Sequence, residues 1–367
     1  MSDVTTPIVQ FGTSRFLQAH ADLFFQEGTP QRAVTVIQSS GDPDRRKRLA
    51  HLTGSYPVRI RGLQDGKTVD EERCVEIVRR TLSTTTDWDE VTRVVTEEAI
   101  AILSNTGDSG YDPLPGDETG NDPRDMSYPA KLYHLLAHRH SAGAAPLDIF
   151  PMELISDNGI VLRDRVTQIA RARSAPDALM NWLAKCRWAV SLVDRIVSEP
   201  IEPAGAVAEP YALWAIETQP GLAAPTSHPA IRMVDDIERI ERLKLHILNL
   251  CHTVLVQLWM EANGESDLTV NAAMKGSLGQ RMQAIAETEV LRGFAAHGMK
   301  DAAADYLATT LERFRNPFLE HRLSDIAQNH PQKIQRRIGA FLEWVREVEA
   351  EFEAPQLQRI ASKENTA

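Results

Sequence analysis

Lys244, Asn249 and His252 fall within the run Lys244-Leu245-His246-Ile247-Leu248-Asn249-Leu250-Cys251-His252, and each is a residue type that can act on a reacting oxygen. A lysine close to low-dielectric surroundings loses affinity for its proton and can serve as a general acid or base near neutral pH. An amide and an imidazole can donate hydrogen bonds to an oxygen that develops negative charge in a transition state. The run lies inside a stretch without Pro or Gly, residues 234–262, which Asp235 or Asp236 can cap and Asn263-Gly264 can close. As a helix it would be roughly 40 Å long. Between Leu243 and Met260 the residues are apolar almost all round, which predicts a buried central helix. At about 100° per residue, Lys244 and His252 are ~80° apart and Asn249 lies ~60° beyond His252, so the three can look into one cleft. The spacing alone equally allows a structural rod, in which the lysine snorkels to solvent and the Asn and His satisfy neighbouring backbone groups.

The rest of the chain reads as the elements that position these groups. A short apolar run at 7–11 precedes Gly12, and helical spacing follows from Ser14 to Gln26. This is the strand-turn-helix that opens a dinucleotide-binding fold, although only Gly12 remains of the usual Gly-x-Gly-x-x-Gly. Residues 33–37 read as a second strand. Its tip carries Gln38 where an acid normally takes the adenosine ribose, with Asp42, Asp44, Arg45 and Arg46 close behind. A half-exposed strand at 58–62, a turn at Asp65-Gly66 and a returning strand at 75–82 read as a hairpin. Residues 99–106 form a buried strand ending in Asn105 and Thr106, at the carboxyl end where ligands collect in open α/β sheets.

Residues 107–125 are a loop, and 128–139 a helix bearing His134 and His138 at metal-ligand spacing, with no third ligand nearby in sequence. We read that helix as a surface helix. A strand at 147–155, a helix at 178–190 and a proline-rich linker at 200–208 follow. Beyond the central helix, helices are expected at 279–296, 301–316, 322–329 and 332–353, then a frayed tail at 354–367. The fold class is therefore α/β: a Rossmann-like dinucleotide-binding domain over residues 1–200 and a mostly α-helical catalytic and substrate domain over 201–367, with the active site expected in the cleft between them.

Composition narrows the function. The 367 residues are 43% hydrophobic and 25% charged, as expected of a globular protein. The net charge of -11 argues against a nucleic-acid partner but leaves room for a small anionic substrate held by local basic groups. Cys74, Cys186 and Cys251 are scattered, which suits a reducing cytoplasm. Residues 1–6 lack the features of a signal peptide and no uncharged run reaches membrane-spanning length, so a cytoplasmic protein without membrane contact is expected.

The pattern Lys-x4-Asn-x2-His at Lys244, Asn249 and His252 resembles the signature of the polyol-specific long-chain dehydrogenases, a family that includes mannitol dehydrogenases and hexuronate reductases. Further blocks carry the resemblance. Gly12, Phe16, Ala19 and His20 match Gly-x-Gly-x-Phe-x-x-Ala-His, with Ser14 in place of the second glycine. Pro151-Met152-Glu153-Leu154-Ile155 with Asn158-Gly159 is similar to a uronate-reductase block, where mannitol dehydrogenases carry Asp-Asn instead of Glu153-Leu154. Val193-Asp194-Arg195-Ile196, residues 209–217 and Arg313-Phe314-Arg315-Asn316-Pro317 complete the set. As a purely structural alternative, Asp194 and Arg195 form an ion pair.

The resemblance implies a metal-independent oxidoreductase in which Lys244 is the acid/base and Asn249 and His252 hold the reacting oxygen. It implies NAD as cofactor, with NADP left open by the arginines after Gln38, and cofactor contacts from Phe11, Gly12, Thr13, Ser14, Arg15, Phe16, Gln38, Asn105, Thr106 and Glu153. It implies substrate contacts from Asp194 and Arg313, and a sugar acid or polyol as the small-molecule partner. Glu153-Leu154 and Ser104-Asn105-Thr106 favour a keto-hexuronate and its aldonate. A neutral polyol of the mannitol or arabinitol type is the alternative.

Overall fold

The computed structural model describes residues 4–107 and 109–362, with Arg45 described by its backbone alone. Asp108 in the expected loop, residues 1–3 of the expected leaderless start and residues 363–367 of the expected tail lie outside the described residues. The chain forms two compact units. The first comprises the residues up to Ile60 and Glu71–Ile237, and the second Arg61–Asp70 and the residues from Glu238 onward.

The strands are β1 (Ile8–Phe11), β2 (Val34–Gln38), β3 (Tyr56–Gln64), β4 (Lys67–Val75), β5 (Val78–Ser83), β6 (Ala101–Ser104), β7 (Asp148–Pro151), β8 (Arg187–Trp188), β9 (Ser191–Asp194), β10 (Val197–Pro200), β11 (Ala206–Ala208), β12 (Leu213–Glu217) and β13 (Ile231–Val234). In the first unit a six-stranded sheet runs β5-β2-β1-β6-β7-β8, with every pairing parallel. Residues in β1, β2 and β6 are buried throughout, the polar Gln10, Thr35, Gln38 and Ser104 included, as in the central strands of a sheet covered on both faces. The chain order reverses between β1 and β6, and that switch point opens a crevice at the strand ends. This is a Rossmann-like arrangement.

Four expectations need correction here, the first being the helix expected at 178–190, which ends at Leu183 and is followed by β8 beside β7. Residues 75–82 do not return as a hairpin partner: β3 pairs with β4 around Asp65-Gly66, both at positive φ, and β5 instead joins the main sheet beside β2. The helix expected from Ser14 to Gln26 is two helices, Arg15–Gln18 and Ala21–Glu27. The expected linker at 200–208 is part of a sheet, since β10 pairs antiparallel with β11 and β11 lies parallel to β3. Its prolines sit at strand ends and in the turn, where a missing N–H costs no ladder bond. With β12 and β13 also in the first unit, the division between units falls after Ile237.

The second unit is built on one long helix and the helices around it. Ile247, Leu250, Val254, Leu255 and Leu258 are buried against Val290, Phe294, Ile338, Phe341 and Val345. The helix is not uniform: Ile237–Leu243 and Leu250–Glu261 are α-helical, but Lys244–Asn249 is a π turn. Two further π turns, Ala286–Val290 and Gln335–Gly339, pack against it. The tail is also ordered as far as Ser362. Pro355–Ser362 is a helix whose Leu357 and Ile360 are fully buried, and the Glu289 carboxylate accepts from the Gln356 and Leu357 N–H groups at its start. The apolar residues three apart in that helix, Leu357 and Ile360, were the overlooked signal. Among the described residues no helix is long and apolar enough to cross a membrane.

Candidate active site

In the first unit, the ends of β1, β2 and β6 bound a cavity lined by Gly12, Thr13, Ser14, Arg15, Gln38, Ser39, Ser40, Arg48, Asn105, Thr106 and Gly107. Gly12 is required for its shape. With φ +137°, a Cβ there would meet the Asn105 carbonyl oxygen at 2.6 Å and Leu17 Cδ1 at 2.9 Å. The departure at Ser14 has a local reason: its Oγ accepts from the Leu17 N–H at 3.2 Å and caps the short helix, while donating to Asn105 Oδ1 at 3.2 Å. Asn105 ties three strand ends together, because its N–H donates to Phe11 O at 2.9 Å and its Nδ2 to Met152 O at 2.9 Å. At the tip of β2, Gln38 Nε2 donates to Asp42 O at 2.6 Å, leaving Oε1 buried without a protein partner. A glycine cradle, a helix start and an orphaned acceptor at the strand end suit a dinucleotide, so the residues present fit the group.

The remaining expected cofactor contacts lie off this cavity. Phe11 is buried with its ring 5.3 Å from that of Tyr128, and Phe16 stacks on His20 at 4.6 Å. Glu153 is buried and its carboxylate is taken up by protein donors. It accepts from Ser104 Oγ, the Thr106 N–H and Oγ1, Tyr111 O–H and the Met152 N–H, at 2.7–3.1 Å. It therefore holds the Ser104–Thr106 end of β6 in place rather than presenting a free carboxylate. Leu154 beside it is 72% exposed. Asp194 is buried at the end of β9. Arg195 donates to the carbonyls of Ala19 and Glu209. In the helix 128–141, His138 Nδ1 is 3.1 Å from Thr96 Oγ1, and burial lowers the His134 pKa to about 4.

In the second unit the π turn changes the geometry expected of the Lys-Asn-His run. A π turn closes on i→i+5 hydrogen bonds and holds more residues than an α turn, so angles counted at 100° per residue do not apply from Lys244 to Asn249. Lys244 and Asn249 are half-buried at the two ends of that turn. His252, one turn on, is 8% exposed, with its ring 4.1 Å from Phe314 and 5.3 Å from His321. Burial, and then the charges of His321, Arg337, Arg313 and Lys333, hold the His252 pKa well below the usual histidine value. His252 is thus a buried imidazole held in its neutral form, packed between the rings of Phe314 and His321.

These basic groups come from different parts of the chain: Arg313 from one helix, Lys333 and Arg337 from another, and His321 from the segment before Leu323. Arg313 closes the helix Lys300–Phe314 and is 6% exposed. Lys333 lies in His330–Ile334 and donates to Ile326 O at 2.7 Å. Arg337 lies in the π turn Gln335–Gly339 and donates to Asn249 O at 3.2 Å and Thr253 Oγ1 at 3.1 Å. Burial lowers the pKa of Lys333, helped by Arg337, and burial alone lowers that of Arg337. Sequence reading singled out Arg313 and missed His321, Lys333 and Arg337. The i,i+4 spacing of Lys333 and Arg337 was visible, but solvated helix charges show the same spacing.

The mannitol dehydrogenase Rossmann domain family model matches residues 6–227. The chain is 30% identical to an altronate oxidoreductase of Halalkalibacterium halodurans over 92% of its own length and 70% of that protein. It is 32% identical to an altronate oxidoreductase of Klebsiella pneumoniae over 90% of its length and 73% of that protein. Among solved structures it is similar to a D-sorbitol dehydrogenase in substrate-free form, with TM-score 0.79 and 20% identity over 95% of this chain and 78% of that one. It is also similar to Pseudomonas fluorescens mannitol 2-dehydrogenase in ternary complex with NAD and D-mannitol, with TM-score 0.70 and 16% identity over 97% and 77%.

Proposed function

The chain belongs to the mannitol dehydrogenase family and is an oxidoreductase of sugar-derived CH–OH groups, and from that premise we propose that it interconverts a keto-hexuronate and its aldonate with a nicotinamide dinucleotide. The observation that carries the acidic substrate is the buried Arg313, with Lys333 and Arg337 adding positive charge that acts on His252. Gathering like charges is costly unless an anion offsets them, and a guanidinium offers a carboxylate a charge-assisted grip. A neutral sugar would leave that excess positive charge uncompensated, so this arrangement favours an acid. The altronate oxidoreductases among the relatives act, by their name, on an aldonate.

Gly12, Thr13, Ser14, Gln38, Asn105 and Thr106 hold the dinucleotide in this reading, with Glu153 fixing the β6 end. When bound, the dinucleotide supplies or accepts the hydride. Lys244 Nζ gives a proton to the carbonyl oxygen during reduction and takes it from the hydroxyl during oxidation. Asn249 donates from its side-chain amide to that oxygen. His252, kept neutral by burial, donates a single N–H without adding a charge that would compete for the substrate carboxylate. Asp194 and Arg313 are the further substrate contacts we assign.

The test is to compare kcat/KM for tagaturonate and fructuronate with that for fructose, using the reduced dinucleotide. We expect the keto acids to be favoured by about a hundredfold, the weight of one or two charge-assisted contacts to the carboxylate. Fructose, or mannitol in the reverse direction, as the better substrate would replace this reading with the neutral polyol one.

A further inference from the structure

We propose that the first unit's cavity accepts 2′-phosphorylated as well as unphosphorylated nicotinamide dinucleotide, with Gln38 taking the ribose hydroxyl and Arg48 the phosphate. The inference rests on the dinucleotide reading above and adds which form is used. In sheets of this type, the residue at the end of the second strand decides the matter. A carboxylate there accepts the 2′-hydroxyl and repels a 2′-phosphate, whereas a nearby arginine accommodates the phosphate.

Here the position belongs to Gln38, the last residue of β2, which lines the cavity and is 1% exposed. Its amide orientation is set by the bond from Nε2 to the Asp42 carbonyl, since the reverse orientation would place two acceptors against each other. The group left over, Oε1, is an acceptor with no protein partner, able to take a ribose O–H as a carboxylate would. Being neutral, it does not repel a phosphate.

The cavity wall points the same way. None of its lining residues is a carboxylate, and two are arginines. Arg15 is committed to the Ile201 and Gly205 carbonyls and to Glu202, which leaves Arg48 as the lining cation at the β2 end. Ser40 also lines the cavity, with a buried Oγ that has no protein partner and can donate to a phosphate oxygen. The loop between them is held from behind, because the Ser39 carbonyl accepts from Lys131 Nζ at 2.8 Å and Thr84 Oγ1 at 3.2 Å.

The experiment is calorimetric titration of the whole protein and its variants with NADH and with NADPH, which reads binding without turnover. We expect the two Kd values to lie within about thirtyfold of each other in the natural chain. Arg48→Ala should raise the ratio Kd(NADPH)/Kd(NADH) by about tenfold, the weight of one charge-assisted contact. Gln38→Glu should raise it by about fiftyfold, by placing a carboxylate against the phosphate. A wider gap in the natural chain, or a ratio that neither variant moves, overturns the proposal while leaving the dinucleotide reading intact. Binding of neither cofactor overturns both.

Discussion

The Arg337 guanidinium donates to the main-chain carbonyl of Asn249 at 3.2 Å. This bond ties the π turn that carries Lys244 and Asn249 to the π turn that carries Arg337, although the residues are 88 positions apart in the chain. The same guanidinium reaches Thr253 Oγ1, and Thr253 Oγ1 itself donates to Asn249 O at 3.0 Å. One residue thus helps to shape the proposed catalytic turn and adds to the field around His252.

Arg337→Ala should therefore act on binding and shape together. Removing a charge-assisted partner should raise KM for a keto-hexuronate by about 10–100-fold and have a smaller effect with fructose. Stability should fall by about 1–2 kcal/mol, the loss of bonds to a half-buried carbonyl and hydroxyl. Arg337→Lys should recover part of the KM effect. Equal KM changes for acidic and neutral substrates would show that Arg337 only supports the fold.

Lys244→Ala should lower kcat by roughly 10²–10⁴-fold, the usual contribution of a positioned general acid/base. Cofactor affinity should stay within about twofold, because the dinucleotide contacts assigned above lie in the first unit. Stopped-flow and equilibrium titration separate the two, and a near-normal kcat at neutral pH removes the assignment.

Gly12→Ala should impair dinucleotide binding and stability together. The added methyl would sit 2.6 Å from the Asn105 carbonyl oxygen at a backbone angle that side chains rarely adopt, costing about 1–3 kcal/mol. A lowered Tm with weakened NADH binding is the expected pair. An unchanged Tm would mean that the loop can shift at no cost.

Stability should respond to pH in two opposed ways. Burial raises Asp22 to about 7, with Tyr56 O–H donating to its carboxyl at 2.7 Å. Its proton is held in the folded state and lost in the unfolded state between pH ~4 and ~7, so this group's contribution falls as pH rises through that window. Burial lowers His20 to about 3 and His246 and His330 to about 4. These are neutral when folded and protonated when unfolded below pH ~6.5, so stability falls as the medium is acidified. Asp22→Asn should gain about 3 kcal/mol on the natural chain between pH 4.5 and pH 8. Denaturant unfolding at the two pH values measures this, and a constant difference would show that Asp22 does not titrate in that range.

Much of the architecture is readable without coordinates because it is written in local patterns. The mostly apolar, β-branched runs at 8–11, 34–38 and 101–104 suit strands covered on both faces, and Gly12 directly after the first marks the tight turn that follows it. Lys244, Asn249 and His252 stand out because polar groups on an otherwise apolar helix require a reason. The linker expected at 200–208 failed because proline content does not reveal which distant strand a segment pairs with, here β3.

What tertiary structure decided depends on groups brought together from afar. The π turn at Lys244–Asn249 cannot be read from spacing, since an α-helix satisfies the same apolar pattern and packing selects the wider turn. Arg313, Lys333 and Arg337 look like ordinary helix charges in one dimension, and His321 like a loop residue. They act together on the buried His252 imidazole only because tertiary packing brings these distant segments to it. Residue types and short-range periodicity set the chemistry available to this chain. Desolvation and long-range packing set which of those groups meet, and in what protonation state.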